Sequence, residues 1–360
     1  MEPDENASSA AQTNDTNEGS KDDVPKNMLK QSKKRKSSES AVVVAPSDVS
    51  DVVEGTVSVL PETINVQPEP KRACRIDLSR TRPLKLLDPA NCSDIIDQMY
   101  KNYYELEIKY TAKPYLDRQR DINAKMRAIL VDWLVEVHYK FKLQSATLWL
   151  CVNILDRYLE IAQTVRADLQ LVGVSSLLIA CKFEEIYPPE VRDCVYITDY
   201  AYTREQVLLM ESQILRQLDY QICVPTGYHF MTRYLNSFNA TDQIRYLAFY
   251  YAERNLQEYD MLNYPPNQFV AAAVFAALNC RPAGDPSPAS SAWTVELSEL
   301  TAYAEGDLIQ CASTILKHVQ EETVTASKRQ LVAAKKKYAA EKYNGISSLP
   351  VPILAINGFA

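Results

Sequence analysis

From Cys92 onward apolar residues recur every three to four positions, whereas residues 1–88 show no sustained period. A 3.6-residue repeat marks amphipathic helices, so the chain is expected to be all-α beyond its first quarter. A first helix is predicted near 93–108, with Ser93 as N-cap, Asp94 after it, and Ile96, Met99, Tyr103 and Leu106 on one face. Five helices follow near 122–141, 145–161, 166–183, 189–199 and 203–217. Their breaks have chemical causes. Tyr187-Pro188-Pro189 ends one helix and starts the next, and Thr203 with Gln206 forms a capping-box pattern. After Pro225 a second group is predicted near 226–237, 241–257, 266–280, 293–304 and 306–319, with the Pro- and Gly-rich stretch 281–291 as a loop. A basic helix over 327–343, its lysines expected on a solvated face, precedes a tail at 348–360.

Residues 1–88 are rich in Asp, Glu, Asn, Ser, Thr and Pro and contain no aromatic residue. Such a composition buries too little to offset ordering entropy, so this segment is expected to be a disordered regulatory tail. Within it the cluster Lys33-Lys34-Arg35-Lys36, followed by Ser37 and Ser38, stands out from acidic surroundings. It is expected to act as a nuclear-import signal, tunable by serine phosphorylation; a solvated charge run is the plainer alternative.

Net charge is −7, distributed as −2 over residues 1–90 and −5 over the rest, so a basic nucleic-acid-binding face is not expected. Apolar runs such as 269–278 fall short of a membrane span, and the acidic N-terminus lacks an apolar signal region, so the chain is expected to be soluble and unsecreted. Eight cysteines without a CxxC pair and three scattered histidines give no zinc pattern, so reduced, mostly buried thiols and no metal are expected. The eight glycines form no phosphate cradle, and neither a GxSxG elbow nor an HExxH helix occurs. Glu184 and Glu185 point about 100° apart on a helix, a poor geometry for shared chemistry. No catalytic residue and no cofactor are expected.

The predicted helix 121–141 is the most informative. Met126, Ile129, Leu130, Trp133 and Val137 form one apolar stripe, while Ala128, Val131, Leu134 and Val135 cover much of the remaining circumference. A helix apolar nearly all round is either the centre of a bundle or shared with a partner.

The run Met126-Arg127-Ala128-Ile129-Leu130-Val131-Asp132-Trp133-Leu134-Val135-Glu136-Val137 resembles the opening of the cyclin box. Leu169-Gln170-Leu171-Val172-Gly173, Lys182-Phe183-Glu184-Glu185-Ile186-Tyr187-Pro188-Pro189-Glu190, Tyr196-Ile197-Thr198-Asp199 and Leu209-Met210-Glu211 follow in the family's order. The resemblance spans about 92–347. It leans toward the B type within the mitotic A/B group through Tyr259-Asp260-Met261 before Tyr264-Pro265-Pro266 and through Ser347-Ser348-Leu349-Pro350. It implies two consecutive five-helix cyclin folds, at 122–224 and 225–347, preceded by a helix and linker at 89–121. It also implies a non-catalytic subunit that binds and allosterically activates a cyclin-dependent kinase at the G2/M transition. By the same resemblance Lys182, Phe183, Glu211 and Tyr220 face the kinase, Tyr220 standing where relatives often have Phe. Met126, Ile129, Leu130, Trp133, Glu136, Leu169 and Gln170 would dock Arg-x-Leu segments of substrates or inhibitors, and Arg127 with Asp156 would form an internal ion pair. Arg75-Ile76-Asp77-Leu78 gives a minimal destruction element for ubiquitin-ligase machinery, with Pro83 where an Asn would fall. A cyclin fold acting directly on DNA or an adaptor is the rival reading. The acidic core and the intact Lys182 and Glu211 weigh against it.

Overall fold

A computed structural model describes residues 95–281, 292–324, 331–349 and 353–354. The expected disorder of 1–88, the Lys33, Lys34, Arg35 and Lys36 cluster, Arg75 and Leu78, the Ser93 cap and all of the 281–291 loop beyond Arg281 lie outside these residues.

Twelve α-helices are present among the described residues. After α1 (Ile96–Tyr110) come α2 (Ala124–Lys140), α3 (Ser145–Ile161), α4 (Leu169–Glu184), α5 (Val191–Ile197) and α6 (Arg204–Gln217). The second group is α7 (Gly227–Ser237), α8 (Asp242–Asn255), α9 (Pro266–Asn279), α10 (Val295–Thr301) and α11 (Glu305–Val324), with α12 (Ala333–Tyr338) closing the chain. Local chemistry sets several starts. Asn123 caps α2 by accepting from the Met126 N–H, and Thr203 and Gln206 make the reciprocal box expected at α6. Among the described residues the one departure from an all-helical chain is a two-residue antiparallel pairing of Cys280–Arg281 with Ile353–Leu354, which engages part of the expected tail.

Each half is organised around a helix buried on every side. In α4 Leu171, Val172, Val174, Leu177 and Leu178 are all buried, and α2, α3, α5 and α6 pack round it; in α9 the run from Phe269 to Ala277 is buried beneath α7, α8, α10 and α11. The all-round apolar α2 is therefore not the centre of its bundle. It packs against α4 on one side and α12 on another. The two bundles close tightly at Gly227, where a Cβ would lie 2.5 Å from the Trp149 ring and 2.9 Å from Val270 Cγ1. Only a residue without a side chain fits there.

Two expectations need correction. Of the expected face of α1, Ile96 and Tyr103 pack against the second bundle's core, but the buried residues are Tyr100 and Glu107, and Met99 is exposed. The reason is where α1 docks: Tyr100 donates to the His229 carbonyl and Arg233 pairs with Asp97 at 2.9 Å, so the second bundle chooses the face. The basic C-terminal helix is short, and its lysines are not all solvated. Lys337 is fully buried and pairs with Glu253 of α8 at 2.6 Å.

Candidate functional site

The exposed end of the first bundle is built by the stops of α4 and α6. Pro188 and Pro189 forbid α4 from continuing, and Glu185 at its C-cap turns its carboxylate onto the start of α3, accepting from the Gln144 N–H at 2.7 Å and the Thr147 hydroxyl at 2.5 Å. This anchor fixes the last turn of α4, which carries Lys182, Phe183 and Glu184. Opposite it, α6 presents Glu211. The Lys182 ammonium donates to Glu211 Oε1 at 2.6 Å, with 47% of the lysine side chain and 11% of the glutamate exposed. Partial burial, with Glu185 beside it, raises the Glu184 carboxyl above its ordinary value. Helix α6 stops at Asp219 and Tyr220, both left-handed at φ 50° and 56°, so Tyr220 projects from the surface.

The structure thus brings Lys182 and Glu211 into contact and leaves Phe183 and Tyr220 exposed on the elements that carry them. On α5, α6 and the segment after α4 further large apolar side chains without an assigned role are exposed: Ile186, 91%-exposed Tyr187, Leu209 and Tyr196. Exposed apolar groups gathered on adjoining elements mark an interaction surface. Their sequence signal was the Ile186-Tyr187-Pro188-Pro189 run, since residues stranded between a helix end and a Pro pair have no helical face to bury.

A second face lies along α2 and the start of α4. Met126, Ile129 and Trp133 are half-buried, one turn apart on α2; Gln170 is half-buried and Glu136 exposed beside them. Leu130 and Leu169 are buried and form the floor rather than the exposed part of the face. Leu130 sinks because α4 offers Gly173, where a Cβ would lie 2.7 Å from Leu130 Cδ1.

Arg127 of α2 and Asp156 of α3 form a buried pair. Arg127 donates from Nε and Nη2 to the two Asp156 oxygens at 2.7 Å each, and from Nη1 to the carbonyls of Leu256 and Gln257 at 3.1 Å. Burial opposes its charge, but the carboxylate outweighs this and holds the guanidinium above its ordinary value. The Tyr115 hydroxyl also donates to Asp156, at 2.8 Å, so the network is satisfied as a buried pair must be. Tyr259 of the second half accepts from the backbone N–H groups of Tyr115 and Leu116, which extends the same tie between the halves.

The described residues offer little for catalysis. Burial raises the thiols of Cys151, Cys181, Cys194 and Cys311, the last two to about 12, which leaves them protonated and unreactive at neutral pH. Cys223 is exposed. Glu258, Asp260 and His318 place ligand atoms within 4.8 Å of one another, but Arg254 holds Glu258 at 2.6 Å and Asn255 holds His318 Nδ1 at 2.7 Å, so the group reads as an ion-pair network.

Comparison with known proteins agrees with this architecture. Residues 98–223 match the family described as "Cyclin, N-terminal domain" and residues 225–352 "Cyclin, C-terminal domain". Cyclin-B1-1 of Oryza sativa subsp. japonica is 41% identical over 259 residues, covering 71% of this chain and 56% of that protein. The G2/mitotic-specific cyclin-B2 of Homo sapiens is 37% identical over 263 residues, covering 73% and 64%. The chain thus spans little more than half the length of the plant relative and under two thirds of the human one. Among solved structures a viral cyclin from herpesvirus saimiri shares the fold, with a TM-score of 0.54 at 21% identity over 61% of this chain and 96% of that one. Two adjoining domain matches and B-type relatives at about 40% identity make the chain a member of the cyclin family.

Proposed function

We propose that this chain is a mitotic regulatory subunit that binds a cyclin-dependent kinase, activates it allosterically at the G2/M transition, and docks its substrates. The observation that carries the reading is the part-exposed Lys182–Glu211 pair on α4 and α6, adjoining elements that, with α5, also expose Phe183, Leu209 and Tyr196. That pair is held ready rather than used up. Lys182 spends one of its three donors on Glu211, so a partner's backbone carbonyls can take the other two and its backbone N–H groups can donate to the free acceptor sites of Glu211. A partner conformer that matches this surface is bound better than one that does not, so association shifts the kinase population toward its active arrangement. Nothing in this requires the chain to catalyse: the phosphoryl transfer belongs to the partner. Candidate kinases are to be co-purified with the chain and assayed with and without it; a kinase that binds but gains no activity would overturn the proposal.

The α2 face is the docking site for Arg-x-Leu segments, the leucine on Met126, Ile129 and Trp133 and the arginine beside Glu136. The Lys33, Lys34, Arg35 and Lys36 cluster directs nuclear entry, tested by the nuclear fraction after all four become Ala. Arg75 and Leu78 engage ubiquitin-ligase machinery, tested by the protein's half-life in dividing cells when both become Ala.

A further inference from the structure

We infer that the α2 docking face is regulated by the chain's own segment Arg82-Pro83-Leu84, which occupies the face intramolecularly and competes with Arg-x-Leu partners. The inference rests on the docking reading above and gives that face a built-in competitor.

The chemistry of the face sets what can fill it. Its apolar part is half-buried Met126, Ile129 and Trp133 over buried Leu130 and Leu169; its border is the exposed carboxylate of Glu136, which makes no ion pair among the described residues. Glu136 follows Trp133 by three residues and so lies on the same side of α2. An extended ligand presents residues i and i+2 to one side, about 7 Å apart, so a cation two positions from a mid-sized apolar residue meets both parts together.

Arg82-Pro83-Leu84 has that spacing. Proline fixes its own φ near −65° and drives the preceding residue out of the helical region, so Arg82 is already biased to the extended form the face needs. Less ordering entropy is then lost on docking. The chain's other Arg-x-Leu sequences begin within α3, α6, α7 and α8, or at Arg329-Gln330-Leu331, where Leu331 is tethered two residues from the Ala333 N–H that Asp132 holds at 2.9 Å.

The reach suffices. From Leu84 to Ile95 the chain has eleven residues, which extend to about 36–40 Å. Helix α1, about 22 Å long, runs from the second bundle back to the first, where the Tyr110 carbonyl accepts from Asn153 of α3 at 3.2 Å. The extended length of the segment exceeds that of α1, so the number of residues does not forbid contact with the first bundle.

The test compares the full chain with its Arg82→Ala/Leu84→Ala variant, each titrated against a fluorescent synthetic peptide carrying one Arg-x-Leu, at chain concentrations well below micromolar. A segment of about 0.1 mM intrinsic affinity at an effective concentration near 1 mM should weaken the probe about ten-fold, so the variant binds about ten-fold more tightly. Equal affinity of the two proteins overturns the inference while leaving the docking reading intact. A difference that grows with chain concentration assigns the contact to a second copy and overturns the intramolecular form. Probe binding that survives Trp133→Ala in the variant, or is absent from the variant altogether, overturns the docking reading and the inference with it.

Discussion

Lys337 and Glu253 meet at 2.6 Å with 1% and none of their side chains exposed, a fully buried ion pair that joins α12 to α8. It sits beside His138 of α2, whose imidazole is pushed down to about 3 by burial and by the Lys337 charge, so that it stays neutral and donates to the Gln144 carbonyl. With the Ala333 N–H held by Asp132 of α2, the segment carrying α12 touches both bundles at once.

Lys337→Met should therefore cost roughly 3–5 kcal/mol of unfolding free energy, because it leaves the Glu253 carboxylate buried without a partner. Lys337→Met combined with Glu253→Leu should recover most of that loss, since removing both charges removes the desolvation cost as well. Urea denaturation of the three proteins checks this. Equal loss in single and double variants would show that the site matters for packing and not for charge.

A pH dependence should come from Glu107. Burial raises its carboxyl to about 8, although its Oε1 accepts from the Asn267 N–H at 2.6 Å at the head of α9. Between the ordinary value near 4.5 and about 8 the folded chain holds a proton that the unfolded chain has lost. The contribution is therefore complete below about 4.5 and lost as pH rises through 8, with a slope of at most about 1.4 kcal/mol per pH unit. Glu107→Gln keeps a carbonyl for Asn267 and should flatten that slope. A variant with an unchanged stability-versus-pH curve would exclude Glu107 as the source.

These features differ in how far the sequence revealed them. The Met126, Ile129 and Trp133 stripe was legible because helical spacing alone puts those residues on one face. Thr203 and Gln206 were legible because a capping box is local. Lys337 was not: in Lys335-Lys336-Lys337 nothing marks which lysine turns inward, since its partner lies 84 residues away. The face of α1 was chosen by the second bundle, and the stops of α5 and α6 fall on non-glycine left-handed pairs, Asp199-Tyr200 and Asp219-Tyr220, where glycine would have given the signal. The exposed Ile186 and Tyr187 could have been suspected from the Pro pair that follows them. The contact of Lys182 with Glu211, 29 residues apart, needed the fold.

Gly227→Ala should destabilise the junction of the two bundles by about 1–3 kcal/mol, because the new methyl group must displace the Trp149 ring or Val270. Gly306→Ala, whose Cβ would meet nothing within 4 Å, serves as the control and should leave the midpoint unchanged or slightly raised. Thermal melts of both decide it, and equal midpoints would mean that the junction yields without strain.

The two faces of the first bundle should separate by mutation, because they lie on different elements and are proposed to serve different partners. Lys182→Ala with Glu211→Ala removes both members of the 2.6 Å pair at once, so no charge is left stranded and the fold should hold. Kinase binding should weaken, and activity should fall toward every substrate. Met126→Ala with Trp133→Ala instead strips half-buried apolar surface from α2. Losing contact with one substrate leucine forfeits roughly 1.5–3 kcal/mol, about ten-fold to hundred-fold in docking affinity. Activity toward a short peptide without Arg-x-Leu should survive in this second variant and be lost in the first. Met126 and Trp133 also pack on the first bundle's core, so their truncation carries a stability cost that thermal melting must bound. A midpoint close to the parent with selective loss of Arg-x-Leu substrates supports two separate faces. A large fall in midpoint with loss of all activity would make α2 a packing element and withdraw the docking role.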